Sequence, residues 1–276
     1  MRFVITFAAG IGFAVSTGSL PMLAQMHNNT EKQLTCSNGN SNGDRARHCE
    51  VRELSLPSIG RLNIDASPNG GITVKGWSRG DVLVRARVEG QGENEGAAAN
   101  MVSRVTIDGS GGQVRATGPE GGNDNWWSVS YEIFVPQLSD LTLKSHNGGL
   151  NVSDVRGQIQ FDALNGGVKL KRVGGEVKGG TVNGGIDVEL AGNASDLRQV
   201  DLKTTNGGVT IAMPSQSGAR IQAETGMGRI QSDFPMPLSA DARSRKMDFN
   251  IGAGGPPIHI TTGNGGIHLK RADAAQ

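Results

Sequence analysis

The sequence is short of aromatic residues, which make up 4% of its 276 positions, with three Trp and one Tyr. That scarcity argues against an enzyme core packed on bulky side chains. Excess charge of either sign is missing as well. Lys and Arg number 27 against 26 Asp and Glu, a net of +1. Such a balance creates no field for steering toward nucleic acid or an anionic membrane surface. Long hydrophobic runs are absent after the N-terminus, so no transmembrane span is expected in the mature chain. Cysteine occurs twice, as Cys36 and Cys49, a spacing that fits neither C-x-x-C redox chemistry nor a zinc site. Apolar residues reach only 36%, which suits a thin core with much surface. Glycine is the abundant residue, with 42 copies. The copies follow no three-residue period, which excludes collagen.

The first residues read as an address. Arg2 precedes the apolar run from Phe3 to Val15, Pro21 breaks it, and Met22-Leu23-Ala24 offers a cleavage site. Residues 1–24 are expected to be a secretory signal peptide, with an uncleaved anchor as the competing reading. Export places Cys36 and Cys49 in an oxidising compartment, where they are expected to form a disulfide. The loop they close is short and polar, and loop-closure entropy gives such a bond about 3 kcal/mol. Residues 25–50 are read as a flexible segment holding this loop.

One tripeptide organises the rest. Asn-Gly-Gly followed by an aliphatic residue recurs at Asn69, Asn147, Asn165, Asn183, Asn206 and Asn264. The copies at Asn147, Asn165 and Asn183 are 18 residues apart, the next interval is 23, and Met227-Gly228-Arg229-Ile230 is a degenerate copy. A fixed period of this size signals repeat architecture. Superposed, Leu150, Val168 and Ile186 coincide, as do Val152, Leu170 and Val188, and polar residues alternate with them. Alternation is strand periodicity. The fold class expected is therefore all-β, a single-stranded, right-handed, parallel β-helix-like solenoid with coils of ~18–23 residues, stacked ~4.8 Å apart. An antiparallel meander with Asn-Gly hairpin turns is the competing topology. The constant register favours the solenoid.

In the solenoid the corners Asn147-Gly148, Asn165-Gly166, Asn183-Gly184, Asn206-Gly207 and Asn264-Gly265 are structural, with glycine admitted for positive φ or for close stacking. Asn147, Asn165, Asn183 and Asn206 would align as an amide ladder. A small or hydroxylic residue stands two before each Asn. Lys169 would lie over Asp187, and Lys171 over Glu189. Residues 51–136 read as opening coils and a cap, with a short helix within 93–104. Residues 137–271 form the repeat solenoid, and 272–276 a tail.

This pattern resembles the bacterial putative-adhesin family of exported, toast-rack-like β-strand repeat domains. The likeness rests on Asn69-Gly70-Gly71-Ile72-Thr73-Val74-Lys75-Gly76-Trp77, on Tyr131-Glu132-Ile133-Phe134-Val135-Pro136, and on Gly252-Ala253-Gly254-Gly255-Pro256-Pro257-Ile258 closing on Asn264-Gly265-Gly266-Ile267. It covers roughly residues 50–271. The resemblance implies an exported β-solenoid and supplies no catalytic residues.

Enzyme motifs fail individually. Asp108-Gly109-Ser110-Gly111-Gly112 transposes the residues of a serine-protease loop, and Gly252-Ala253-Gly254-Gly255 is too short for a dinucleotide fingerprint. His259 and His268 point outward and could approach each other, a weak metal signal. No cofactor or metal is expected. Trp126, Trp127 and Tyr131 concentrate the aromatics, either as a stacking platform for a sugar ring or as a hydrophobic plug at the solenoid end, the plug being favoured. The function expected is a non-enzymatic exported envelope protein, adhesin-like or scaffold, located in the periplasm, at the cell surface or in the medium. Its partner would be a glycan or an envelope protein, with no nucleic acid. The alternatives are a carbohydrate-active β-helix enzyme, a polysaccharide lyase or hydrolase, and a periplasmic regulatory partner.

Overall fold

The computed structural model describes residues 34–36, 45–58, 60–122, 124–192, 196–236 and 245–272. The expected signal peptide, residues 1–24, lies outside these, as does the stretch 37–44 between the two cysteines.

Alternating aliphatic and polar residues produce strand after strand. The first half gives β1 (Ala46–Pro57), β2 (Arg61–Asp65), β3 (Ile72–Trp77), β4 (Asp81–Gly92), β5 (Thr106–Asp108), β6 (Gln113–Thr117) and β7 (Trp126–Pro136). Between β4 and β5 lies the helix α1 (Glu95–Ser103). Asn94 caps it by accepting the Ala97 N–H at 2.9 Å, and Ala98 and Val102 are its buried residues. The second half gives β8 (Asp140–Asn147), β9 (Leu150–Ser153), β10 (Arg156–Asn165), β11 (Val168–Asn183), β12 (Ile186–Leu190) and β13 (Leu197–Asn206). It continues with β14 (Val209–Pro214), β15 (Ala219–Met227), β16 (Ile230–Ser232), β17 (Lys246–Ile251), β18 (Pro257–Asn264) and β19 (Ile267–Ala272).

The chain is all-β, a curled mixed sheet that forms a half-barrel. Its strands fall into two ladders joined through the long strand β11. The first runs β5, β6, β2, β8, β10, β11, β13, β18, β15, β17. The second runs β1, β4, β7, β3, β9, β11, β12, β14, β19, β16. Each Asn-Gly-Gly passes the chain from one ladder to the other. The strands flanking it pair in parallel with neighbouring repeats, which removes the hairpin meander. The 18-residue register is direct: Gly157 pairs with Gly175, Ile159 with Val177, and Leu150 with Val168. Leu150, Val168, Ile186, Val209 and Ile267 form one inward column, each at most 2% exposed. Both ladders contribute to a single hydrophobic core.

The expectation of wholly parallel coils in chain order is corrected at both ends. After β14 the chain skips one layer to make β15 and β16, then reverses through β17, antiparallel to β15. It then returns as β18 and β19, which sit between the β13–β14 layer and the β15–β16 layer. Likewise β2 and β3 lie between the β6–β7 layer and the β8–β9 layer. The pairs β1–β4, β4–β7, β5–β6 and β15–β17 are antiparallel. A stack of parallel rungs has open edges that would template association, and three of the four ladder ends, β1, β5 and β17, are antiparallel strands that replace the parallel register there.

Candidate binding surface

The Asn-Gly-Gly corners form a hydrogen-bonded edge. The Asn side chains link head to tail: Asn147 donates to Asn69, Asn165 to Asn147 and Asn206 to Asn183, each at 2.9 Å, while Asn183 donates to Asn165 and Asn264 to Asn206 at 2.8 Å. Met227 pairs in register with Asn264 and has no amide, so the ladder stops there. Inside each corner the hydroxyl column serves the glycine carbonyls. Thr181 donates to Gly166, Thr204 to Gly184, Thr262 to Gly207 and Thr225 to Gly265, all within 3.0 Å. Ala163 lacks a hydroxyl, and Ser145 of the preceding rung lies 3.0 Å from the Gly70 oxygen and 3.1 Å from that of Gly148, sharing one proton between them.

The glycine requirement at these corners comes from close approach. Gly148, Gly166 and Gly184 are not among the positive-φ residues. A Cβ on Gly184 would lie 2.6 Å from the Gly166 carbonyl carbon, and one on Gly166 would lie 2.7 Å from that of Gly148. Gly207 is crowded in the same way against Gly184, and Gly265 against Gly207. Of the expected charge columns, Lys169 and Asp187 are register neighbours, and the register then shifts between Leu170 and Val173, so Lys171 and Glu189 do not pair. The ion pair at the bend after these strands is Arg172 with Asp154, at 2.6 and 2.7 Å, two non-glycine residues at positive φ stacked one above the other.

The expected aromatic platform is not one surface. Trp126 and Trp127 are adjacent on β7, so alternation sends them to opposite faces. Trp127 packs against the core and donates its indole N–H to the Pro119 carbonyl at 2.8 Å. Tyr131 is 1% exposed and cannot offer a ring face to a sugar. Its hydroxyl has no hydrogen-bond partner among the described residues. Burial, with the Asp65 carboxylate nearby, pushes that phenol well above its ordinary range. Trp126 alone faces out, with the Arg47 guanidinium 5.8 Å from its ring centre.

A second aromatic cluster, missed in the sequence, occupies the outer face of the second ladder. Ile72 and Val74 of β3 and Ile133 and Val135 of β7 point inward, so Trp77 and Phe134 fall on the outer phase. That phase was the available signal. Their ring centres are 5.4 Å apart. Arg79 covers Trp77 at 4.4 Å, and Lys75 and Arg85 stand 5.6 and 5.5 Å from Phe134. Each cation is also matched to a carboxylate: Arg79 with Asp81 at 2.9 Å, Arg85 with Glu53 at 2.6 Å, and Lys75 with Glu132 at 3.1 Å. Glu132 is only 3% exposed. Burying such a pair is unfavourable unless further hydrogen bonds satisfy it. Arg85 and the Leu34 N–H supply them, at 3.5 and 3.4 Å. Close by, Cys36 and Cys49 form a disulfide that fastens residues 34–36 to β1. The short N-terminal stretch thus crosses from β1 to β7 over the outer face.

The histidines do not meet. His259 on β18 lies 3.5 Å from Asp201, and His268 on β19 lies 3.3 Å from Asp233, in different ladders. Among the described residues no cluster of three or more His, Cys, Asp or Glu could hold a metal ion. No described helix is long and apolar enough to cross a membrane.

No protein-family model and no curated protein matches the chain. Among solved structures it is similar to a putative cell adhesion protein from Clostridium sporogenes, at 12% identity and a TM-score of 0.42, covering 81% of this chain and all of that one. It is also similar to a putative adhesin from Bacteroides fragilis, at 10% identity, a TM-score of 0.32, and 82% and 97% coverage. A putative lipid binding protein from Parabacteroides distasonis gives 10% identity, a TM-score of 0.33, and 83% and 97% coverage. Likenesses this distant carry no argument about what this chain binds.

Proposed function

We propose that the chain is an exported, non-enzymatic envelope protein, adhesin-like or scaffold in role. In this reading it is a right-handed β-solenoid, opened and capped by residues 51–136 and extended by the repeats of 137–271, which holds a glycan or an envelope-protein partner on its outer walls. The observation that carries it is the corner itself. An amide ladder, a column of crowded glycines and a row of buried hydroxyls fix the rungs in register, so that outward side chains repeat every ~4.8 Å on a stiff wall. Asn147, Asn165, Asn183, Asn206 and Asn264 are then structural and not ligand contacts. Export is supported by the Cys36–Cys49 disulfide. The non-enzymatic reading is supported by carboxylates that face cations, as in Asp154 with Arg172 and Asp248 with Arg220. General acid–base catalysis instead needs a carboxyl free to exchange its proton.

Cell fractionation with N-terminal sequencing should recover a chain starting near Gln25 outside the cytoplasm. A glycan array and a polysaccharide turnover screen on the same material should show binding without product. Turnover of any polysaccharide would replace this reading with the carbohydrate-active one.

A further inference from the structure

At the second corner of the rungs, where the chain returns from the second ladder to the first, lies an open cleft of about 410 Å³. That is the size of a small-molecule or oligosaccharide site. Its floor is backbone at Gly157 and Gly175. A Cβ on Gly157 would come within 2.9 Å of the Ser139 carbonyl carbon, and Gly175 sits at φ +89°. The floor therefore stays free of side chains.

Across this floor runs a row of carboxylates and carboxamides. Asp140 accepts the Gln158 N–H at 2.8 Å, Gln158 pairs in register with Glu176, and Glu176 with Gln199. One such group per rung spans about 14 Å in three ~4.8 Å steps along the stacking axis. Acid and amide alternate, and cations stand beside the acids. Arg61 donates to the Gln158 carboxamide oxygen and lies 3.6 Å from Asp140, Lys178 is 3.4 Å from Glu176, and Arg156 is 3.4 Å from Asp196. These three pairs cancel, and the exposed Arg198 on the lining leaves a single positive charge, too little to select a polyanion. What remains are planar groups, carboxylates with two acceptor oxygens and carboxamides with one acceptor and one donor, which suit neighbouring hydroxyls. Leu138, 79% exposed, stands at the rim as an apolar contact for the C–H face of a ring.

We propose that this cleft binds a neutral, linear polysaccharide laid along the stack of rungs, its hydroxyls meeting Asp140, Gln158 and Glu176. The proposal rests on the glycan-binding reading above and names the ligand class and the site. A hydroxylated polymer is periodic, as the row is, and each sugar hydroxyl both donates and accepts. An extended peptide would leave much of a row built for paired hydroxyls unused.

The test is affinity electrophoresis of the mature chain in gels containing neutral polysaccharides (laminarin, dextran, soluble starch) or alginate, with calorimetry on any polymer that retards it. A neutral polymer should retard the protein, equally at about 0.05 and 0.5 M NaCl because the polymer carries no charge to be screened. Gln158→Ala and Glu176→Ala should each weaken binding about tenfold, the loss of one or two hydrogen bonds. Both residues are half-buried, and unchanged urea midpoints would show that the fold survives. Trp77→Ala should bind as the parent does. If neutral-polymer binding survives both cleft substitutions, the cleft is not the site, while the broader glycan reading stands. Retardation by alginate alone, lost in salt, overturns the ligand class. If a protein partner is the only species bound, the cleft proposal and the glycan reading both fall, and the envelope-protein reading stands.

Discussion

Replacing Gly184 by alanine perturbs the corner at its tightest point. The added Cβ would sit 2.6 Å from the Gly166 carbonyl carbon and 3.1 Å from the Gly167 nitrogen. These are backbone atoms and cannot rotate aside. Relief requires the two rungs to part by several tenths of an ångström. Four bonds resist: Gly166 N–H to the Asn183 oxygen at 3.0 Å, Val168 N–H to the Gly185 oxygen at 2.9 Å, Thr181 to the Gly166 oxygen at 3.0 Å, and Asn183 to Asn165 at 2.8 Å. Weakening two or three of them, at about 1 kcal/mol each, gives a loss of ~2–3 kcal/mol, in the range for overpacking. The internal control is the next residue. A Cβ on Gly185 would stand 3.4 Å from the Gly208 oxygen, an ordinary contact. Gly185→Ala should therefore fall within ~0.5 kcal/mol of the parent, since its unfolded chain also loses freedom. Urea denaturation followed by circular dichroism measures both. Equal effects of the two substitutions would refute the close-approach account of the motif.

Other outcomes follow from single contacts. Asn183→Ala breaks the amide ladder on both sides and should cost about 1 kcal/mol, because these bonds are exposed and exchange with water; urea midpoints measure it. Tyr131→Phe removes a buried hydroxyl with no described partner and should leave stability unchanged or slightly raised; a clear loss in thermal melts would reveal a hydrogen bond. Reduction or Cys36→Ser should cost no more than about 3 kcal/mol and leave the β-signal intact, since the closed loop precedes the rungs; non-reducing mass analysis should find the parent two hydrogens lighter than its reduced form. Acid should weaken the last rungs. Arg220, then Gln222, hydrogen-bond Asp248 and lower its pKa, while the Arg271 N–H and then His268 do so for Asp233. Depressed folded values mean a contribution present above the ordinary carboxylate range and lost as pH falls below it. The urea midpoint should be flat from neutral pH to about 5 and decline below about 4, less steeply in Asp248→Asn.

The sequence by itself determined the local structure of each rung. Alternation set which residues face in, as Leu150, Val168 and Ile186 do. The 18-residue interval set which residues of neighbouring repeats meet, and the two cysteines could pair only with each other. These are properties of period and chemistry within a few residues, so they survive without knowledge of the fold. The order of the rungs was decided only by the tertiary structure. Every corner presents the same N–H, C=O and amide, so periodicity cannot say whether the Asn264 rung stacks on Asn206 or beyond Met227. The structure inserts it beside Asn206 because Met227 has no amide to continue the ladder and so belongs at its end. The aromatic surface was decided at the same level. Trp126, Trp127 and Tyr131 are close in sequence and split between faces, whereas Trp77 and Phe134 are far apart and meet because β3 and β7 pair in parallel. The cleft, too, draws Asp140, Gln158 and Glu176 from three rungs, and only stacking brings them into one row.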